Sequence, residues 1–475
     1  MKLSNLRVLL ALLFSLSLIA AACAGDEGTD TATEDESTES TEDDSTEDDS
    51  NEDGEMEDDS MEDDSMEEGD HDFSGTTVTI TGSERSEEEA GAFQDALDQF
   101  SEETGIEITF AGSADWEAEI NIQVEADNPP DISMFPQPGK LADFAAAGHV
   151  LPLPDDVTAS VSENWSESWM GFGNADGVQY GVPAKSDLKS LVWYQPARFA
   201  ELGYEVPETW DALKDLTTQA IADGVTPWCV GIESGQATGW PFTDWVEDLM
   251  LRFHGADVYD QWVAGEIPFS DERVIQVFNE IGELWGTDGA VFASGGSIAA
   301  TAFGDNGQPL VEGDCLMHRQ ASFFAAFIPE GTPFADGSEG AVDVFYFPQV
   351  DDTRPVLGAG LLAGAFADRP EVWAVMEYIG SPEYANARQA AQAERKGGGL
   401  SGFLSAVKGA DPSLYQPLEQ SMLEVLATGE VVRFDGSDLM PSDVGAGTFW
   451  TEGTSFVNGD KTAEEAAEAI DASWP

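Results

Sequence analysis

Three tryptophans follow small or polar residues: Trp116 after Asp115, Trp240 after Thr238 and Gly239, and Trp450 after Gly445, Gly447, Thr448 and Phe449. The segment around the second, residues 226–248, reads TPWCVGIESGQATGWPFTDWVED. It is a short apolar run, a small-residue loop and a stretch with helical spacing. An indole offers a flat apolar face, while acids, amides and backbone groups beside it offer hydrogen bonds. That combination suits a neutral polyol, whose C–H faces pack on the ring while its hydroxyls are bonded. Glycine lets the backbone approach such a ligand closely. The competing use of any one of these tryptophans is a place in the core.

Other chemistry is poorly represented. There is no G-x-S-x-G nucleophile elbow. SGQATGW lacks the Lys-Ser/Thr pair of a phosphate-binding loop, and no G-x-G-x-x-G opens the first strand–helix unit. The four histidines (71, 149, 254 and 318) have no ligand spacing, and the acidic run has no EF-hand pattern. No metal and no cofactor are therefore expected. Paired carboxylates could cleave a glycosidic bond. Among 93 Asp and Glu, however, pairs arise by chance and none stands out. An exported glycoside hydrolase is the enzyme alternative, against the expectation that the protein is not an enzyme.

Elements must position these residues. TTVTITGS (76–83) alternates as a strand. Residues 86–105 place Phe93, Leu97 and Phe100 at helical spacing, with acids in the first turn and Gly105 as terminator. IEITFAGS is a second strand, residues 114–130 a helix with Asp115 as N-cap, and DISMFPQPG a third strand and turn. Strand, helix, strand, helix, strand predicts a parallel α/β sheet, with ligands outside the carboxyl ends of its strands. SLVWY, TPWCVGI and DCLMHRQASFFAAFIP read as strand-bearing segments of a second section. Residues 342–366 read as a long strand, a Pro-punctuated turn and a strand returning. Helices dominate from residue 370.

The 475 residues carry a net charge of −74 and are 41% hydrophobic, enough for a large core in two lobes. With only 19 Lys and Arg, nucleic acid and anionic ligands are disfavoured. Residues 1–22 read as a signal peptide: Lys2 and Arg7, then the apolar run Val8 to Ile19, then Ala20 to Ala22. Cys23 follows directly, as in a bacterial lipoprotein signal, although Ala20 stands where Leu is usual. Lipidation of Cys23 would anchor the chain to the outer face of the cell membrane. Residues 23–74 are acids, Ser and Met without an aromatic before Phe73, and read as a disordered tether. Cys229 and Cys315 remain in the body, as a disulfide or as two buried thiols.

Several stretches together resemble the substrate-binding lipoproteins of bacterial carbohydrate ABC importers, and among them the alpha-glucoside-binding branch. They are EEEAGAFQDALDQFSEETGIEITFAGSADWEAEI, NPPDISMFPQPGKLADFAAAG, VPAKSDLKSLVWYQPARFAELGYEVPETWDAL, TPWCVGIESGQATGWPFTDWVEDLML, LMHRQASF, GGGLSGFLS and DLMPSDVGAGTFW. The resemblance covers residues 76–475. It implies an α/β fold, a two-lobed periplasmic-binding-protein-like clamp of type II with hinge crossings and a helical C-terminal part. The first lobe would span 75–190 with a return near 356–375, the second 191–355, and residues 376–475 would complete both. The partners implied are a small neutral sugar and the transmembrane permease subunits, and the body is expected to be a monomer. Carried over by position, the cleft residues would be Ser83, Arg85, Asp115, Trp116, Gln137, Lys185 and Asp187, then Glu233, Thr238, Trp240, Asp244 and Arg319, then Gly358, Gly360 and Trp450. Gly358 to Gly360 would form a loop after a later crossing, and GGGLSGFLS part of the wall. A sugar-sensing protein for a membrane receptor would share the fold.

Overall fold

The computed structural model describes residues 73–429 and 431–475. The signal peptide, Cys23 and nearly all of the tether lie outside the described residues. Among the described residues no helix is long and apolar enough to cross a membrane.

The first sheet forms where the sequence alternates most clearly. Thr77–Gly82 buries Val78 and Ile80 and runs parallel to Glu107–Gly112, in register from Thr77↔Glu107 to Gly82↔Gly112. Ile132–Phe135 lies parallel on its other side. The helix Glu87–Thr104 joins the first two strands. The Ser86 hydroxyl accepts from Glu89 N at its start, and Gly105, at φ 77°, ends it in the left-handed conformation. Its apolar stripe, including Phe93 and Leu97, covers the sheet. Val356–Ala365 is buried at every position. It pairs antiparallel with Ile132–Phe135, antiparallel with Gly181–Leu188 and parallel with Val432–Phe434.

A second sheet has the order Asp343–Tyr346, Leu191–Tyr194, Met317–Arg319, Trp228–Cys229, Val291–Phe292. Helices Trp240–His254 and Glu272–Gly286 bury Phe242, Trp245, Phe278 and Trp285 in its core. Cys229 and Cys315 form a disulfide with Cα atoms 5.5 Å apart, closing 86 residues of chain.

Among the described residues the chain passes between the lobes three times: between Leu188 and Leu191, between Tyr346 and Val356, and after Phe434, from where its last helices join the core of the second lobe. Two expectations need correction. Asp343–Tyr346 and Val356–Ala365 do not pair as a returning hairpin; each belongs to a different sheet. Gly358 and Gly360 are within the strand Val356–Ala365, not in a loop. An apolar run buried on both faces has no alternation to mark its limits. The architecture is a two-lobed α/β clamp of type II.

Candidate ligand-binding cleft

One cleft gathers the loops at the carboxyl ends of the first-lobe strands and the aromatic loops of the second lobe. Ser83, Glu84 and Arg85 follow the first strand, Ala114 the second, and Pro136 and Gln137 the third. Lys185, Asp187, Gly360 and Leu361 come from the paired long strands, and Trp240, Phe303, Phe323 and Phe327 from the second lobe. Lys189, Asp435 and Asp438, at two of the crossings, also line it, as do Glu117 and Trp450.

The aromatic wall is built by edge and tilted contacts. The Trp240 ring centroid is 4.9 Å from that of Phe303 and 6.0 Å from that of Phe323, and Phe303 is 5.0 Å from Phe327. Trp240 opens its helix, followed by Pro241, after Gly239 at φ 118°. A Cβ on Gly239 would lie 2.3 Å from the Trp450 carbonyl, so glycine is required for both conformation and space. The preceding loop fastens itself. Glu233 accepts from Gly235 N at 2.8 Å, and the Thr238 hydroxyl accepts from Ser234 N at 3.1 Å and donates to Gly235 O at 2.7 Å.

Two polar atoms in the wall are buried and unsatisfied: Gln137 Oε1 and Trp450 Nε1. Their residues are only 4% and 2% exposed. A buried acceptor and a buried donor without partners are costly unless something else meets them.

The sequence of residues 85–386 matches the family of bacterial extracellular solute-binding proteins. The chain belongs to that family. It is 40% identical over 418 residues to the alpha-glucosides-binding periplasmic protein AglE of Rhizobium meliloti (strain 1021), covering 85% of this chain and 88% of that one. It is 38% identical over 404 residues to the osmoprotective compounds-binding protein GgtB of Synechocystis sp. (strain ATCC 27184 / PCC 6803 / Kazusa), covering 84% and 92%. The fold is similar to that of the bacterial solute receptor AcbH, with a TM-score of 0.69 at 19% identity over 84% of this chain and 98% of that one.

In this solute-binding protein the residues expected from sequence separate into two groups. Ser83, Arg85, Gln137, Lys185, Asp187, Trp240, Gly360 and Trp450 line the cleft. Asp115, Trp116, Glu233, Thr238, Asp244, Arg319 and Gly358 stand outside its lining. Trp116 is 1% exposed, packs edge-on against Phe135 and donates its indole N–H to Ser133 Oγ at 2.9 Å. Asp115 precedes the helix Trp116–Glu125 without a side-chain capping bond. The segment GGGLSGFLS is also absent from the wall. Sequence reasoning missed Glu84, Lys189, Asp435, Asp438 and the three phenylalanines. Glu84 sat between two residues that were chosen. Lys189 and Asp435 gave no signal, because they are 246 residues apart.

The charged groups form two networks. Glu84 binds Lys185 at 3.0 Å and Arg388 at 3.1 Å, and Lys185 lies 3.7 Å from Asp187. Burial disfavours the Glu84 carboxylate, but Arg388 and Lys185 outweigh it and hold its pKa below the usual range. Burial raises Asp187 in spite of Lys185, and burial with the Glu84 charge raises Glu89.

The second network joins the crossings to the helix Trp240–His254. Lys189 binds Asp244 at 2.8 Å and also binds Asp435. Arg319 binds Asp244 at 3.1 Å and Asp248 at 2.8 Å, and Asp248 also pairs with Arg252. Arg252 donates to the carbonyls of Phe347 and Pro348 in the second crossing, both at 2.9 Å. Ser190 donates to Asp248 at 2.8 Å and accepts from Leu357 N at 2.9 Å. Glu247 accepts from Gly436 N and Ser437 N, both at 3.0 Å. Burial raises the Asp244 pKa to about 6 against the opposing pull of Lys189 and Arg319. Burial and the Asp435 charge raise Glu247 well above its ordinary value. Asp244, Glu247 and Asp435 bring carboxylate oxygens within 4.8 Å of one another. The Lys189 ammonium, bonded to two of them, supplies the positive charge a metal would bring.

Proposed function

We propose that this solute-binding protein captures an alpha-glucoside such as maltose, trehalose, sucrose or a short oligosaccharide outside the cell and delivers it to the permease subunits of an ABC importer, without chemistry. The observation that carries the reading is the pairing in one cleft of an aromatic wall around Trp240 with the unsatisfied Gln137 Oε1 and Trp450 Nε1. A sugar face stacks on aromatics, and its hydroxyls both donate and accept. The specificity for glucosides is supported by the identity to AglE, and export by the family. In this reading Ser83, Arg85, Gln137, Lys185, Asp187, Trp240, Gly360 and Trp450 contact the sugar. Asp244 and Arg319 brace the helix that carries Trp240. The lobes divide near residues 190 and 356, and the monomeric body is tethered through a lipidated Cys23.

Uptake tests delivery. Cells of the source organism lacking this chain should lose accumulation of labelled maltose, trehalose or sucrose and regain it with the wild-type chain, but not with Trp240→Ala. Unchanged uptake of all three sugars in the deletion strain would refute the importer role.

A further inference from the structure

The spare hydrogen-bonding capacity of the cleft is unbalanced. Each buried cation in its wall is already bonded to carboxylate: Lys185 to Glu84, and Lys189 to Asp244 and Asp435. Arg85 is exposed at the mouth, its guanidinium 5.7 Å from the Phe303 ring centroid. Asp438 is the opposite case. It is 7% exposed and lines the cleft, yet among the described residues its carboxylate has no hydrogen bond and no ion pair. Only its backbone N–H is engaged, by Asp435 Oδ1 at 3.0 Å.

Its electrostatic neighbours make this unusual. Burial raises the Asp438 pKa well above the ordinary value. Asp435, Asp244 and Glu117 add to the rise, and Lys189 alone opposes it. Glu117, on the helix Trp116–Glu125, is itself raised by burial, with Lys140, Gln137 and Arg85 working the other way. Gln137 adds the buried acceptor Oε1 with no donor. The helix Pro138–Ala146 that follows Gln137 packs on the Asp438 segment so closely that a Cβ on Gly139 would lie 2.0 Å from Met440 O and 3.0 Å from Leu439 O. Asp438, with an unpartnered carboxyl, and Gln137, with an unpartnered amide oxygen, therefore line the same cleft, and acids prevail around them.

We infer that the cleft also takes amino-substituted sugars, binding the protonated amine against Asp438 more tightly than the neutral parent, and that it rejects phosphorylated sugars. An ammonium would favour the ionised form of Asp438 against the burial that raises its pKa, pairing with it as a counter-charge. A phosphate would find every buried cation already bonded, would face unpaired acid, and would be left only the exposed, solvated Arg85. The inference rests on the sugar reading of the cleft and extends it to a second ligand class.

Calorimetric titration of the full chain at neutral pH tests it, with maltose, trehalose and sucrose, each beside its monophosphate and a set of monoamino analogues carrying –NH3+ in place of one hydroxyl. At least one amino analogue should bind about tenfold tighter than its parent, and no phosphate should bind. In Asp438→Asn the ratio of amino to neutral affinity should fall to about one, whatever happens to the neutral affinity itself. If a neutral parent binds while every amino analogue binds equally or more weakly, or if Asp438→Asn leaves the ratio unchanged, the inference fails and the sugar reading stands. If neither parents nor analogues bind, both fail together.

Discussion

Lys189 is one ammonium shared by Asp244 and Asp435, and it ties the first and third crossings to the helix Trp240–His254. Lys189→Met keeps the aliphatic stem and removes the charge. Burial disfavours the Lys189 charge, yet Asp244 and Asp435 hold its pKa well above the ordinary value. Those same acids lose their counter-charge in the variant. Removing one partner of a buried pair costs about 3–5 kcal/mol. For about 400 folded residues the unfolding entropy is roughly 0.85 kcal/mol per kelvin, so a loss of about 4 kcal/mol lowers the melting temperature by roughly 5 °C. The pH dependence gives the sharper check. A carboxylate whose folded pKa is raised contributes stability below its ordinary range, and that contribution is lost as pH rises through the folded value. Asp244, at about 6 in the wild type, shifts further up without Lys189. The variant's deficit should therefore be full near pH 8 and shrink toward pH 5, as the orphaned carboxyls take up protons. Calorimetric melting of both proteins across that range measures it. A deficit that is absent, or equal at both ends, would refute the assignment of Lys189 as their neutralising partner.

Trp240→Ala should weaken glucoside binding about tenfold, since a stacked aromatic is worth roughly 1–3 kcal/mol; titration beside a circular dichroism spectrum separates this from misfolding. Gly239→Ala should do similar harm without touching the ring, because its Cβ meets the Trp450 carbonyl at φ 118°; wild-type affinity would show the turn to be permissive. Trp116→Phe should cost about 1 kcal/mol of stability through the lost bond to Ser133 and leave affinity unchanged, the reverse of Trp240. Replacing Cys229 and Cys315 together by Ala should cost up to about 4–5 kcal/mol, from a loop of 86 residues, read as a fall in denaturant midpoint.

The first lobe was legible because its strands alternate and its helix from Glu87 to Thr104 carries both a Ser cap and a Gly terminator. The second was less so. Trp228–Cys229 and Val291–Phe292 are two residues each, too short for any period, and exist because neighbours pair with them. Gly181–Leu188 is buried throughout although it carries Lys185 and Asp187; only the ion pairs across the lobe allow that. In the cleft, the strand-end rule located Ser83, Arg85 and Gln137. It could not separate Asp115 from Trp116, because the first turn of the helix directs the indole into the core. Asp244 and Arg319 were expected as sugar contacts through the family resemblance. They are bonded to each other across 75 residues of sequence, a pairing that no local pattern records.

The most direct test of the account is calorimetric titration of residues 74–475 with maltose, trehalose and sucrose, followed by recovery of the sugar. Saturable binding of at least one of them, with the sugar recovered intact, is the predicted result. Binding of none would contradict the glucoside assignment, and recovered glucose would contradict a binding protein that does no chemistry.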